Sequence, residues 1–295
     1  METTAKQLTA LSRLFSSGVI RDMAVKGRSA LFARLLRELD GVVQTLSYAP
    51  VRDVFESAFD LLRQGGLRDE YVYKAALTHR VLMGRHSLRT ACMLSEFRTG
   101  DCKADIVILN GTTTVYEIKS ERDSLSRLKR QIASYREVFA KVFVIAGERH
   151  VDAVLRETAS DVGVMALDSR YYISTRREAL EAPERVSPLA IFDTLRTEEA
   201  KVVLRTLSIA VPDAPNTRMR QEMRRRFEGL SPKLVHNAML LTMKQTRDMR
   251  PLASLVDRVP RSLQAAALSV PLRKSDHDRL VATLDVPLRE ARAWS

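Results

Sequence analysis

Cysteine is scarce in this chain. Cys92 and Cys102 are the only two in 295 residues, too few for a disulfide framework and suited to a reducing compartment. No Cys or His pattern around them has zinc-ligand spacing, and the five histidines show none elsewhere. His79 and His86 are seven apart in a helical stretch and read as core or surface residues. No run of eighteen apolar residues occurs, so no transmembrane helix is expected. The stretch METTAKQLTALSRLF has no apolar block of the secretory kind, which fits a protein that stays in the cytoplasm.

Charge is plentiful. There are 48 Lys and Arg against 36 Asp and Glu, a net of +12. An excess of this sign favours an anionic partner, with nucleic acid first among the candidates.

The pattern of apolar residues divides the chain in three. Residues 1–66 read as helical. SALFARLLRELDG (29–41) carries Leu31, Leu35 and Leu36 on one face, and VRDVFESAFDLLRQGG carries Val54, Ala58, Leu61 and Leu62, with Gly65-Gly66 as its stop. Residues 67–90 continue at helical period, with Glu70 in a first turn. The period then changes. ACMLSEF, CKADIVIL and TTTVYEIK read as three strands, the last two around Asn110-Gly111, a strong hairpin signal. A long helix is expected over 122–140, where Leu125, Leu128, Ile132, Tyr135 and Phe139 form a stripe. KVFVIAG reads as a central strand. A short helix, VDAVLRETAS, leads to strands at 162–168 and 171–175. From 177 to 295 the chain is helical again, with Arg218, Arg220 and Arg224–Arg226 in a basic cluster and Trp294 as a packing anchor. The fold class expected is α/β, a mixed sheet with helices on its faces, flanked by helical N- and C-terminal regions.

ADIVILNGTTTVYEIKS (104–120) places Asp105, Glu117 and Lys119 at one end of an otherwise apolar hairpin. Buried there without a partner or a metal, such charges are costly. Phosphodiester hydrolysis needs an activated water and neutralised charge on the phosphate. A hard cation such as Mg²⁺, held by carboxylates and a carbonyl, serves both needs, and a nearby lysine orients the water. Glu117 and Lys119, two apart on a strand, share a face. Asp105 joins them only in one register. A two-residue Asn-Gly turn would set Asp105 opposite Tyr116 and send Glu117 to the other face. The site therefore requires a three- or five-residue loop, a bulge or diverging strand ends.

The order αβββαβ, Asp105 on the second strand and Glu117-Ile118-Lys119 on the third resemble the PD-(D/E)XK nuclease superfamily, the restriction-endonuclease-like fold. Gln131 and Tyr135 on the next helix match the QxxxY motif of its RecB-like and Mrr-like branch. The family's proline before the aspartate is replaced by Ala104. The resemblance spans 67–150, extending toward 176, and delimits a nuclease-like domain at 67–176. It implies Mg²⁺, with Mn²⁺ as a substitute, held by Asp105, Glu117, the Ile118 carbonyl and an acid on the first helix. Glu70 is the best match for that acid and Glu96 the weaker one. It also implies Lys119 at the water, Gln131 and Tyr135 steadying the site, and a role in bacterial or phage DNA metabolism, restriction or defence. A second Glu-X-Lys, Glu199-Ala200-Lys201, lies in a helical pattern without a hairpin.

Lys129 and Arg130, with Arg127 and Arg136 beside them, and Arg224, Arg225 and Arg226 are candidates for phosphate contact. The partner expected is DNA, with RNA left open, and the helical flanks leave room for a homodimer or a protein partner. Two other readings stand beside the nuclease: a nuclease fold that binds nucleic acid or protein without cutting, and a helical interaction protein dominated by its flanks.

Overall fold

In the computed structural model, residues 4–43, 48–64 and 66–295 are described. Met1–Thr3 of the N-terminal stretch and Gly65 of the expected helix stop lie outside them. Four helices come first: α1 (Ala5–Leu14), α2 (Ser17–Lys26), α3 (Ala30–Glu38) and α4 (Val51–Leu62). Thr4 and Gln7 form a capping box on α1, and Ser16 and Ser29 cap α2 and α3 through their hydroxyls. Next are α5 (Glu70–Leu77), a π-helical turn (Thr78–Leu82) and α6 (Met83–Arg85).

The sheet follows: β1 (Cys92–Thr99), β2 (Cys102–Asn110), β3 (Thr112–Lys119), α7 (Leu128–Arg136), β4 (Lys141–Gly147), α8 (Glu148–Glu157), β5 (Gly163–Leu167) and β6 (Ile173–Arg177). The six strands lie side by side in chain order. β1, β2 and β3 are antiparallel, β3, β4 and β5 are parallel, and β6 returns antiparallel to β5. The two parallel junctions are the ones bridged by α7 and α8, as crossovers require. β4 is buried along almost its whole length, which explains its unbroken apolar run. The fold is therefore α/β, a mixed sheet with flanking helices.

α7 is shorter than its apolar stripe. The stripe residues Leu128, Ile132, Tyr135 and Phe139 are all buried, yet regular helix starts only at Leu128. Polar side chains compete with the helix upstream. Asp123 accepts from the Ser120 N–H at 2.8 Å and from its hydroxyl at 2.7 Å, and Ser124 accepts from the Ser126 N–H at 3.2 Å. The resulting loop, 120–127, borders the candidate site.

The C-terminal region comprises α9 (Pro188–Thr194), α10 (Thr197–Thr206), α11 (Asn216–Phe227), α12 (Pro232–Thr246), α13 (Ala253–Arg258), α14 (Gln264–Ser269), α15 (Lys274–Leu284) and α16 (Leu288–Ala291). It packs against both the sheet and the first four helices. Val51 N–H donates to the Val286 carbonyl at 3.0 Å, Leu288 N–H to the Ala49 carbonyl at 2.8 Å, and Arg52 Nε to Asp285 at 2.8 Å. The Thr283 hydroxyl lies 3.3 Å from the Met23 carbonyl, where α15 crosses α2. Trp294 meets Phe32 with ring centroids 5.7 Å apart.

The second Glu-X-Lys is a structural element of α10. Glu199 is buried, caps the Arg196 N–H at 2.9 Å and receives Arg247 Nε and Nη2, each at 2.8 Å. Arg247 also lies over the Phe97 ring at 5.3 Å, tying the end of α12 to β1. Arg247→Ala leaves the Glu199 charge buried and unmatched, and should lower unfolding stability by about 3 kcal/mol in urea denaturation.

His79 is buried, with Nε2 3.2 Å from the Arg261 carbonyl. A carbonyl only accepts, so Nε2 carries the proton of the neutral ring. Burial and the nearby Arg261 charge hold its pKa down to about 4. The unfolded chain then takes up the proton first. The His79 contribution to stability is complete above about pH 6.5 and is lost as pH falls toward 4. Urea midpoints should drop across that window, and His79→Gln, which retains a donor to the carbonyl, should remove part of the drop.

Candidate active site

The β2–β3 hairpin does not use a two-residue turn. Asn110 pairs with Thr112 and Leu109 with Thr113, leaving Gly111 alone at the tip with a φ of +69°. Glycine takes that left-handed conformation without the Cβ clash other residues meet. The odd count carries down the ladder to Ile106 opposite Tyr116. One row further, Asp105 stands opposite Glu117 on one face of the sheet. The odd register that the chemistry requires is present, reached with Gly111 alone between the paired Asn110 and Thr112.

On its other side β2 pairs with β1, Ser95 opposite Ile106 and Phe97 opposite Ala104. Glu96 is therefore the neighbour of Asp105. Glu96, Asp105 and Glu117 form one acidic row across three strands. Glu96 is held at a φ of +57°, a strained backbone for a residue with a Cβ. Its carboxylate receives Lys74 Nζ at 3.2 Å and pairs also with Lys103.

α5 brings Glu70 to the row. Asp69 caps the helix by accepting from the Val72 N–H at 3.1 Å, which places Glu70 in the first turn. Lys74, one turn on, reaches Glu70 at 2.9 Å as well as Glu96. Carboxylate oxygens of Glu70, Glu96 and Asp105 lie within 4.8 Å of one another. Asp105 Oδ2 accepts from the Ile118 N–H at 2.7 Å. Burial, with Glu117 and Glu70 close by, pushes its carboxyl up to about 8. A divalent cation among these oxygens would relieve that repulsion, so the residues fit the ion the resemblance implies. The Ile118 carbonyl leaves the strand on the same edge as its N–H, toward Asp105.

Glu117 is held differently. Its oxygens receive Lys119 Nζ at 2.8 Å, Gln131 Nε2 at 2.5 Å and the Tyr135 hydroxyl at 2.7 Å. Lys119 Nζ also reaches Gln131 Oε1 at 3.0 Å. The Glu117 and Lys119 side chains are only 2% and 5% exposed, so water screens the pair very little. Gln131 and Tyr135 sit one helical turn apart on α7 and grip the same carboxylate. Tyr135 reaches the Lys103 carbonyl at 3.0 Å too, and burial beside Glu117 raises its pKa well above the phenol range.

These groups line a cavity of about 260 Å³, with Arg127, Arg130, Lys103 and Asp123 at its rim. Glu117 lines it with Asp105 and Glu70, but its oxygens are not among those that converge; Glu96 supplies the third. Lys129 is exposed on α7 and outside the lining. Arg224, Arg225 and Arg226 on α11 are also outside it: Arg224 reaches Asp193 at 3.6 Å and Arg225 pairs with Glu222 at 3.0 Å. Sequence reading passed over Lys74 and Lys103. The four-residue step from Glu70 to Lys74 on a helix was the available signal for the first. Nothing in the sequence announced the second, because its partner Glu96 depends on the strained turn in β1.

The chain belongs to the family described as Bacteriophage P4 protein cII, whose profile matches residues 63–257. That stretch runs from the end of the first helical region through the whole sheet and most of the C-terminal helices. Protein cII of Enterobacteria phage P4 is 37% identical over 67 residues. The match takes in 23% of this chain and spans about a quarter of that relative's length. Among solved structures, the SPO1766 protein of unknown function from Silicibacter pomeroyi has a TM-score of 0.29 at 18% identity, over 39% of this chain and 79% of that one. Among the described residues no helix is long and apolar enough to cross a membrane.

A cation can bind the Glu70–Glu96–Asp105 cluster only as Asp105 gives up its proton. Mn²⁺ affinity measured by calorimetry should therefore rise about tenfold per pH unit below pH 8 and level off above it. Asp105→Asn should weaken binding at least tenfold and flatten the profile.

Proposed function

We propose that this protein is a metal-dependent nuclease of the PD-(D/E)XK type that hydrolyses phosphodiester bonds in DNA. The observation that carries the reading is the acidic row Glu96–Asp105–Glu117, capped by Glu70 and flanked by a buried lysine on the same strand as Glu117. Asp105, Glu70 and Glu96 offer the carboxylates for Mg²⁺ or Mn²⁺, with the Ile118 carbonyl beside them. The cation, when bound, supplies charge neutralisation at the phosphate and acidifies a water. Glu117 fixes Lys119 Nζ at 2.8 Å. The ammonium is then positioned to orient the attacking water or to meet charge on the phosphate. Tyr135 holds Glu117 and so acts through it on the lysine, while Gln131 holds Glu117 and also accepts from Lys119 Nζ directly. Arg127 and Arg130 at the rim suit the phosphates on either side. The role proposed, phage or bacterial DNA metabolism or defence in the cytoplasm, accords with membership of a phage protein family.

The test is cleavage of circular single-stranded and supercoiled duplex DNA with Mg²⁺ or Mn²⁺. Asp105→Ala and Lys119→Ala should each lower the rate at least ~100-fold, the scale of a positioned acid–base or electrostatic group. Tyr135→Phe should cost less, since Gln131 and Lys119 still hold Glu117. Equal cleavage by wild type and both alanine variants would reject the assignment. Salt-sensitive binding of DNA without cleavage in any metal would favour the non-cutting module.

A further inference from the structure

The acid cluster lies where two cavities meet. Glu70 and Asp105 line the smaller one, and Glu96 lines a larger one of about 630 Å³. The larger cavity is wedged between β1, the edge strand of the sheet, and residues 246–252 and 268–271 of the C-terminal region. Its lining combines an apolar surface, including Leu94, Leu252 and Leu268, with three arginines, Arg98, Arg196 and Arg247, the last of them paired with Glu199.

The two sides of the cluster are alike in charge. In the larger cavity the acids are engaged: Asp193 faces Arg224 at 3.6 Å and Asp248 faces Arg250 at 2.8 Å. Arg98 and Arg196 are exposed and have no carboxylate partner among the described residues. At the rim of the smaller cavity the same holds for Arg127 and Arg130. Unmatched cations thus flank the acid cluster on both sides, as a polyanion crossing it would require.

We infer that the occupant of this path is a single strand of DNA, with its scissile phosphate at the acid cluster and adjoining nucleotides in the larger cavity. The inference rests on the nuclease reading and adds the strand state of its substrate. Bases of a single strand expose their faces and can lie on the apolar lining of the β1 cavity. In a duplex those faces are stacked inside.

The test measures binding apart from cleavage, by fluorescence anisotropy of a labelled oligo-dT and of a duplex of equal length, with EDTA present. The full-length protein should bind the single strand at least tenfold more tightly. A double variant, Arg98→Glu with Arg196→Ala, alters two exposed side chains outside the acid cluster. It should lose at least tenfold in single-strand binding while its Mn²⁺ isotherm stays that of wild type. Duplex binding equal to or tighter than single-strand binding would overturn the inference, as would unchanged single-strand binding by the double variant. A wild type that binds the single strand selectively but cuts nothing would refute the nuclease reading and leave this one standing. One that cuts duplex and single strand at equal rates would do the reverse.

Discussion

Gly111 decides the parity of the hairpin it closes. A single residue between Asn110 and Thr112 makes the register odd, and every row below inherits it. With the parity reversed, Asp105 would face Tyr116, and Glu117 and Lys119 would point away from it. Nothing about the local chemistry of Asp105 or Glu117 could correct that, since each lies six residues from the tip. The grip of Gln131 and Tyr135 on Glu117 and the approach of α5 over Asp105 all presuppose the face that Gly111 selects.

Much of this arrangement was legible beforehand. The period change at residue 91, the three strands that follow it and the unbroken apolar run of β4 gave the sheet, because burial on one face or two leaves a direct imprint on residue type. Asp105, Glu117 and Lys119 stood out because charge in an apolar strand must be matched. Gln131 and Tyr135 gained definite partners in the structure: both hold Glu117. The start of α7 was misjudged. Leu125 continues the stripe, but the side chains of Ser120, Asp123 and Ser124 bind nearby backbone and undo the helix there. Glu96 carries less signal in the sequence for a different reason. Its place beside Asp105 depends on a backbone conformation that its residue type disfavours, and no pattern of apolar residues reports such strain.

The basic residues show the limits of composition. Arginines at 224–226 form the densest run in the sequence, yet the site borders on others: Arg127 and Arg130 at its rim, Lys74 and Lys103 on its acids. Density along the chain measures solvated helix face as readily as function. Unmatched position beside the acid cluster is the more selective criterion, and it marks Arg98 and Arg196 on one side and Arg127 and Arg130 on the other.

Pro50 and Pro287 meet in a bridge that joins the first helices to the last. The sheet is assembled from neighbours in the chain, each strand pairing with the next, so its loops are short to close. The helical layer spans more than two hundred residues between its halves. On a ribosome the sheet has its full complement of strands once residue 177 has emerged, whereas α2 and α4 must keep their apolar faces waiting for α15. Until α15 emerges, the faces of α2 and α4 that it covers stay open to a chaperone or to another nascent chain.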